Sequence, residues 1–530
     1  MSESQSEQHG AQIAQLQPRQ IGAVALFYPV LETLNLAQTV RELAPSAADV
    51  DLGHIVVLLV LNRLLSPQPL YQVDEWFAGT VLPAVLGIPE NKVYDNRLGR
   101  ALDRLYPYWG EIWARMVSTA IQQYALDLSI LHWDITSLYF EGAYTDSELA
   151  TYGYSRDHRS DCKQCNLEVD VTHDGYVPVL YQPLAGNTAD ITRPEPHLQH
   201  LLQFLARPEL ADQQVRPILV SDCKMVTPEA VAACHRHGLY YLGPLPNGSA
   251  TTTVLRSVPA AELRAQPLAY RPQRFKPDDA RFVPYQGVWR PFVFETAAER
   301  FTDRALVVWS AGKQRLDEQK RKTYLKRLLN ALANIQGKLN TRRYKQRQYV
   351  EQRLESIQRG NQAKDLVEIM LTGEDEALQL TFRIQRDRLA RAQALDGRYA
   401  LATNAAHLEA NTTLTLFKGQ DGVEKRFRSA KGPLQVRPLF VRSDQRIEGL
   451  VAITLLALLT GALLERACRQ QGLSLTMERL IREFASLQAV DVTWTDGRRQ
   501  RMLAEVSAQQ NEILTALNWP HPKRYAVNAP

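Results

Sequence analysis

The spacing of apolar positions changes twice along the chain, and each change announces a different architecture. From Ile21 to Trp109 apolar residues recur at helical intervals. Val30, Leu31, Leu34 and Ala37 follow Pro29, which suits the first turn of a helix, and His54–Asn62 makes a second apolar helix. Pro67 and Pro69 break that run before a short helix at Tyr71–Phe77, and Tyr94–Tyr106 reads as an amphipathic helix with three arginines. Such a segment either docks on DNA or a partner subunit or serves only as a packing domain. From about Leu126 the period shortens from about 3.6 to about 2. The pattern then predicts strands over 128–136, 164–171 and 176–183, a helix over 193–206, a strand over 216–222, a helix over 227–238 and a strand over 239–244. Three successive strands followed by alternating helix and strand predict a mixed sheet flanked by helices.

Between 247 and 396 that regularity is interrupted. Short β-like runs (Thr251–Val258, Leu268–Phe275, Trp289–Glu295 and Ala305–Ser310) precede a charged helical stretch from about Asp317 to Gln358. Gly397–Thr403 is another strand. A helix bearing Glu424 and an apolar helix at Glu448–Arg466 follow it. The Asp-Gly of Val492-Thr-Trp-Thr-Asp-Gly497 signals a hairpin, and a last helix is expected near Ala508–Leu517. There is no internal repeat. The expected organisation is a disordered polar leader (1–20), a helical N-terminal domain (21–125), a catalytic core in two parts (126–246 and 397–485), an α+β insertion with a basic helical stretch (247–396) and a C-terminal tail (486–530).

Composition adds three constraints. A chain of 530 residues with 45% apolar and 22% charged residues is a soluble globular protein with more than one core. The net charge of +5 decides little, but its distribution does. Fourteen Lys or Arg stand against four acids between Ala311 and Gly360, so the rest of the chain is net acidic. That segment, with Arg342, Arg343 and Lys345, fits a nucleic-acid-binding arm; a solvated helical hairpin is the plainer alternative. The apolar run Leu450–Leu464 is shorter than the ~20 residues a membrane span needs, which favours a buried core helix. Five cysteines and no secretory leader point to reduced thiols in a cytoplasm. Cys162 and Cys165, and Cys234 beside His235 and His237, lack a second pair at zinc spacing and read as buried thiols.

The candidate chemistry lies in isolated acids. In Val423–Lys431, positions 427, 428 and 431 follow Glu424 by helical intervals, so a buried carboxylate with cations beside it is expected. Asp134 closes the apolar run from Leu128 and Asp222 closes Pro217–Ser221. His132 shares the strand face of Asp134 by alternation and is placed beside the site rather than in it. A lone strand-end aspartate is more often a turn cap than a ligand, so the argument rests on the three acids together.

Several stretches resemble the DDE transposases of bacterial insertion sequences, in the subgroup with an extra helical N-terminal domain. They are His132-Trp-Asp-Ile-Thr-Ser137, Gly153-Tyr-Ser-Arg-Asp-His-Arg159 leading into Asp161-Cys-Lys-Gln164, and Gly186-Asn-Thr-Ala-Asp190. Further on come Val220-Ser-Asp222, Phe417-Lys-Gly-Gln420 leading into Val423–Lys431, and Ser443–Gly449 before an apolar helix. The resemblance runs from about Ile21 to Leu517. It implies an RNase H-like catalytic core with a large α+β insertion before the glutamate helix, and two divalent ions (Mg2+, with Mn2+ as a substitute) held by Asp134, Asp222 and Glu424. It further implies cleavage at element ends and strand transfer into target DNA, by a homodimer on paired terminal inverted repeats, with no membrane, in a bacterial cytoplasm. Residues implied for DNA contact are Arg428, Lys431, Lys418, Arg159, His158 and Asn187, with Asp157 and Asp190 in the same loops. The Tyr and Arg of the family's Tyr-Arg-Glu-Lys pattern are replaced here by Phe417 and Gln420. A decayed copy that binds DNA without cutting, and a purely hydrolytic nuclease of the same fold, remain alternative readings.

Overall fold

The computed structural model describes residues 12–526, except 158, 214, 223, 277, 433, 435–440 and 442. The strands in chain order begin with β1 (Ile13–Gln20), β2 (Ile130–Phe140), β3 (Lys163–Thr172), β4 (Pro178–Ala185) and β5 (Ile218–Val220). They continue with β6 (Tyr240–Pro244), β7 (Pro267–Leu268), β8 (Tyr285–Glu295), β9 (Arg300–Trp309) and β10 (Val367–Thr372). The last four are β11 (Gln379–Ile384), β12 (Arg398–Thr403), β13 (Gln488–Trp494) and β14 (Arg499–Leu503). The chain divides into two compact units: residues up to Ser221 with His237–Leu239 and everything from Lys418, and Asp222–Arg236 with Tyr240–Phe417.

In the first unit the N-terminal segment is helical, as its 3.6-residue period predicts. The apolar helix Leu52–Leu65 opens on Asp51, whose carboxylate accepts the His54 amide at 2.8 Å. Pro29 sits inside the helix Val24–Thr33 rather than in its first turn. Behind these helices the strands run β4-β3-β2-β5, antiparallel except for β2 and β5, which pair in parallel from Ile130↔Ile218 to His132↔Val220. The predicted mixed sheet flanked by helices, behind a helical N-terminal segment, is therefore the architecture observed. The helix Asp444–Gln470 is long and apolar enough to cross a membrane, yet 94% of its most apolar window is buried in the protein, as a core helix would be.

Residues 13–20, expected in a disordered leader, instead form β1 and pair antiparallel with β13 from Ile13↔Trp494 to Gln20↔Gln488. Most β1 side chains are exposed, so backbone pairing builds this strand and the apolar pattern carries no trace of it. The predicted hairpin is β13–β14, with Gly497 at φ 85° in its turn.

The second unit orders its strands β6-β12-β9-β8-β7, each neighbouring pair antiparallel. Thr251–Val258, expected as a strand, lies mostly in the helix Ser249–Arg256. Its threonines satisfy their hydroxyls locally: Thr252 and Thr253 Oγ1 donate to Gly248 O and Ser249 O at 2.8 and 2.9 Å. Helical back-bonding overrides their β-branched preference. The basic stretch forms the helices Ala311–Gln336 and Arg347–Gln358, which with the β10–β11 hairpin close a small core around Leu332, Val350 and Leu380.

Candidate active site

Alternation along β2 sends His132 and Asp134 to one face of the sheet and Trp133 and Ile135 to the other. Asp134 is partly exposed, and its Oδ1 accepts the Ile135 amide at 2.8 Å. His132 is fully buried and hydrogen-bonded on both nitrogens: Nδ1 to Gln420 Oε1 at 3.0 Å, and Nε2 to His173 Nδ1 at 2.9 Å. Burial pushes the His132 pKa down to about 4, so the ring is neutral at pH 7. A neutral imidazole has one donor and one acceptor, and Gln420 Oε1 can only accept. His132 therefore donates from Nδ1, and His173 Nδ1 donates to His132 Nε2.

Gln420 also donates from Nε2 to Trp133 O at 2.9 Å. It is the N-cap of the helix Asp421–Lys431 and makes no side-chain cap, because its amide is spent on β2. The N-terminus of that helix, whose first turn contains Glu424, is thus fixed against β2 at His132 and Trp133. The inner face is Gly422, Val423, Arg426, Phe427 and Ala430. Arg426 is 8% exposed, and its guanidinium donates to Tyr176 O at 2.9 Å and Gly175 O at 2.7 Å and pairs with Glu465 at 2.7 Å.

Two expectations change here. Glu424, expected to be buried, is exposed, and Phe427 turns inward rather than sharing its face. The apolar triplet Val423, Phe427 and Ala430 takes the core side and leaves Glu424 and Arg428 outside. Arg428 is exposed, with Asp421 at 3.8 Å. Lys431 is paired with Asp157, both carboxylate oxygens lying 3.1 Å from its Nζ.

The opposite face of β2 holds a buried ionic cluster that the sequence reading missed. Trp133 stacks on His197 with centroids 4.7 Å apart. His197 Nδ1 lies 2.6 Å from Glu168 Oε1, and its Nε2 lies 3.2 Å from Asp170 Oδ1, an ion-pair distance without hydrogen-bond alignment. Arg193 donates to Glu168 at 2.9 Å. Burial disfavours charge on His197, but Asp170 and Glu168 outweigh it and raise its pKa to about 9. Burial raises Asp170, whereas His197 and Arg193 hold Glu168 below the usual carboxylate range against the same burial. The signal was present in Glu168-Val-Asp170, alternating acids inside an apolar strand that must share one face.

Asp222 opens the second unit, two residues beyond β5. Its Oδ1 accepts the Lys224 amide at 2.9 Å, and Lys224 Nζ lies 3.9 Å from Oδ2. Arg159 is held by Asp161 at 2.9 Å and Glu141 at 3.6 Å, and Asp190 is paired with Arg156. Asn187 is exposed, and its backbone N–H donates to Thr151 Oγ1 at 3.0 Å. Lys418 is half-buried, which lowers its pKa. Arg342 and Arg343 are exposed, and Lys345 pairs with Glu376 at 3.2 Å. His158 lies outside the described residues.

Three carboxylates are the hard-oxygen donor set a divalent cation prefers. Among the described residues, however, no group of three or more His, Cys, Asp or Glu side chains is gathered closely enough to hold a metal ion. The donor chemistry of Asp134, Asp222 and Glu424 fits the implied metals. Cys165 and Cys234 are buried thiols, and Cys162 is a half-buried one.

Fold and site together define an α/β protein with one carboxylate on a central strand and another on a helix latched to that strand. The family model of a domain of unknown function, DUF4277, matches residues 16–112, within the N-terminal segment. No curated protein matches the chain. Among solved structures it is similar to a piggyBac transposase synaptic complex with hairpin DNA, at 8% identity and a TM-score of 0.41, over 89% of this chain and 82% of that one. A Mos1 transposase paired-end complex with left transposon end matches 38% of this chain and 60% of its own, at 16% identity and a TM-score of 0.17. A Mos1 mariner paired-end complex with Mn matches 39% and 62%, at 15% identity and the same TM-score.

Proposed function

We propose that the chain is a DNA transposase of the DDE type, an RNase H-like phosphoryl-transfer enzyme that cuts element ends and joins them to target DNA. The observation that carries this reading is the latch at Gln420, which ties the helix bearing Glu424 to His132 and Trp133, the two residues before Asp134 on β2. The register of β5 supports it: Val220 pairs with His132, and Asp222 follows Val220 by two residues as Asp134 follows His132. Asp134, Asp222 and Glu424 would hold Mg2+, or Mn2+ in its place. When bound, two such ions stabilise the attacking and leaving oxygens of an in-line displacement.

The chain's own residues orient the substrate. Arg428 presents an exposed guanidinium on the Glu424 side of the helix and would hold a non-reacting phosphate; Lys431 would do so on releasing Asp157. Arg342, Arg343 and Lys345 would contact the backbone of double-stranded DNA, the terminal repeats and the target. A homodimer on paired ends in a bacterial cytoplasm completes the reading. A second reading, a copy that binds ends without cutting, rests on Phe417 and Gln420 standing where the family has Tyr and Arg.

The test is cleavage and joining by the purified chain, with Mg2+, on a labelled duplex carrying the inverted repeat that flanks its coding sequence. Nicking with joined product, both lost in Glu424→Gln while end binding persists, is the expected outcome. Specific end binding with no cleavage by the wild type would overturn the enzymatic reading in favour of the binding copy.

A further inference from the structure

A cavity of about 340 Å³ lies within the first unit, away from β2 and the Glu424 helix. Its walls are aromatic. Trp109 and Trp113 come from the helix Trp109–Tyr124, Tyr181 from β4, Phe204 from the helix Pro194–Leu205, and Tyr106 from the turn before Trp109. Trp113 and Tyr181 meet edge to face with centroids 4.9 Å apart. Two polar groups among these walls are unsatisfied. Glu448, half-buried on the helix Asp444–Gln470, has no hydrogen bond or ion pair among the described residues. Trp109 is 5% exposed, and its buried Nε1–H has no acceptor among the described residues. The two belong to the same wall, because a Cβ added at Gly449 would lie 3.3 Å from Trp109 Nε1.

The charge balance selects the ligand. Arg207 and Glu111 line the same cavity but neutralise each other through two hydrogen bonds of 2.8 and 3.0 Å. Burial holds His200 below its ordinary pKa and so neutral at pH 7. Glu448 is left as the uncompensated charge, and burial raises its pKa, with Asp444 adding to the rise. An anion would meet that carboxylate, and a neutral ligand would leave it unpaired. A cation would pair with it and lie over ring faces whose quadrupole attracts positive charge. The orphaned indole N–H asks in addition for an oxygen acceptor on the same ligand.

We propose that this cavity binds a small organic cation carrying a nearby oxygen acceptor, with Glu448 as counter-ion, Trp109 Nε1 as donor and the aromatic rings as walls. An amino alcohol has both groups, and so does a lysine residue through its ammonium and backbone carbonyl. The volume is at the lower end of the ~300–1,000 Å³ typical of small-molecule sites, which fits one such group and little more.

Tryptophan fluorescence of the full chain tests this with four probes: choline, capped lysine amide, tetramethylammonium, and the uncharged choline isostere 3,3-dimethylbutanol. Choline or capped lysine should bind with a dissociation constant on the order of 1 mM, and the tighter of the two identifies the source of the cation. Tetramethylammonium should bind more weakly for want of an acceptor. The isostere should bind about tenfold more weakly than choline in the wild type, a comparison that needs no variant. Glu448→Gln should weaken choline binding by about the same factor, and Trp109→Phe should remove the advantage of choline over tetramethylammonium. Equal binding of choline and its isostere, or no binding of any cation, would overturn the proposal and leave a water-filled cavity. So would choline binding that Glu448→Gln leaves unchanged.

Discussion

Replacing Gln420 by alanine removes two hydrogen bonds at once, the one donated to Trp133 O and the one accepted from His132 Nδ1. The second loss is the costlier, because His132 is fully buried and its N–H has no solvent to turn to. Gln420→Ala should therefore lower unfolding free energy by about 2 kcal/mol and show a coupling of about 1 kcal/mol with His132→Phe in a double-mutant cycle. Additive effects would mean that the latch does not exist in solution. His197 makes a prediction about pH. Its folded pKa of about 9 lies above the ordinary 6.5, so its stabilisation is complete below pH 6.5 and is lost as pH rises through about 9. His132 works in the opposite sense. Its folded pKa of about 4 means that stability present above pH 6.5 is lost as the pH falls toward 4. His197→Gln should be less stable than wild type in urea at about pH 6, by on the order of 2 kcal/mol, and most of that gap should close by about pH 10. A gap of constant size would show that packing against Trp133, and not charge, is what His197 contributes.

The helix Asp421–Lys431 approaches its neighbours closely enough that one methyl group should disturb it. A Cβ at Gly422 would lie 2.0 Å from Tyr176 Cε1, too close for either to stay in place. Alanine is the better helix former by about 1 kcal/mol, yet Gly422→Ala should destabilise by about 1–3 kcal/mol because overpacking outweighs propensity. A second change, Tyr176→Ala, should restore part of the loss by vacating the space; a stable Gly422→Ala single variant would contradict the close approach. This element also marks where sequence reading stops. The helix was legible but its apolar stripe was misassigned, with Phe427 placed on the face of Glu424, whereas the strands β2 and β3 were legible from their period of two. What fixes the helix was not. Gln420 and His132 are 288 residues apart, and no periodicity links them. β1 escaped for a related reason, because a strand without a buried face leaves no pattern. Thr251–Val258 was misread because threonine looks β-like until its hydroxyls find carbonyls one turn back.

At the scale of the whole molecule, a net charge of +5 conceals an uneven supply of usable cations. Within the basic stretch of the second unit, Lys313 pairs with Asp317 at 2.9 Å, Arg321 with Asp396 at 2.5 Å, Lys345 with Glu376 at 3.2 Å and Arg347 with Glu351 at 2.9 Å. Arg315, Lys320, Lys322, Lys326, Arg327, Arg342 and Arg343 have no ion pair among the described residues, and all seven are exposed. A cation already neutralised by the protein displaces few counterions when a phosphate arrives, whereas an unpaired one displaces nearly a full equivalent. The double change Arg342→Ala with Arg343→Ala should therefore reduce the slope of log K against log salt by about 2, equally for specific and unrelated duplexes. Lys345→Ala should reduce it by less, because Glu376 is freed at the same time. Arg321→Gln is the contrasting case. Its partner Asp396 is 8% exposed, so the loss should appear in unfolding and leave the salt slope nearly unchanged. If the Arg342 and Arg343 changes leave the slope where it was, the basic stretch is a solvated hairpin and not a DNA contact.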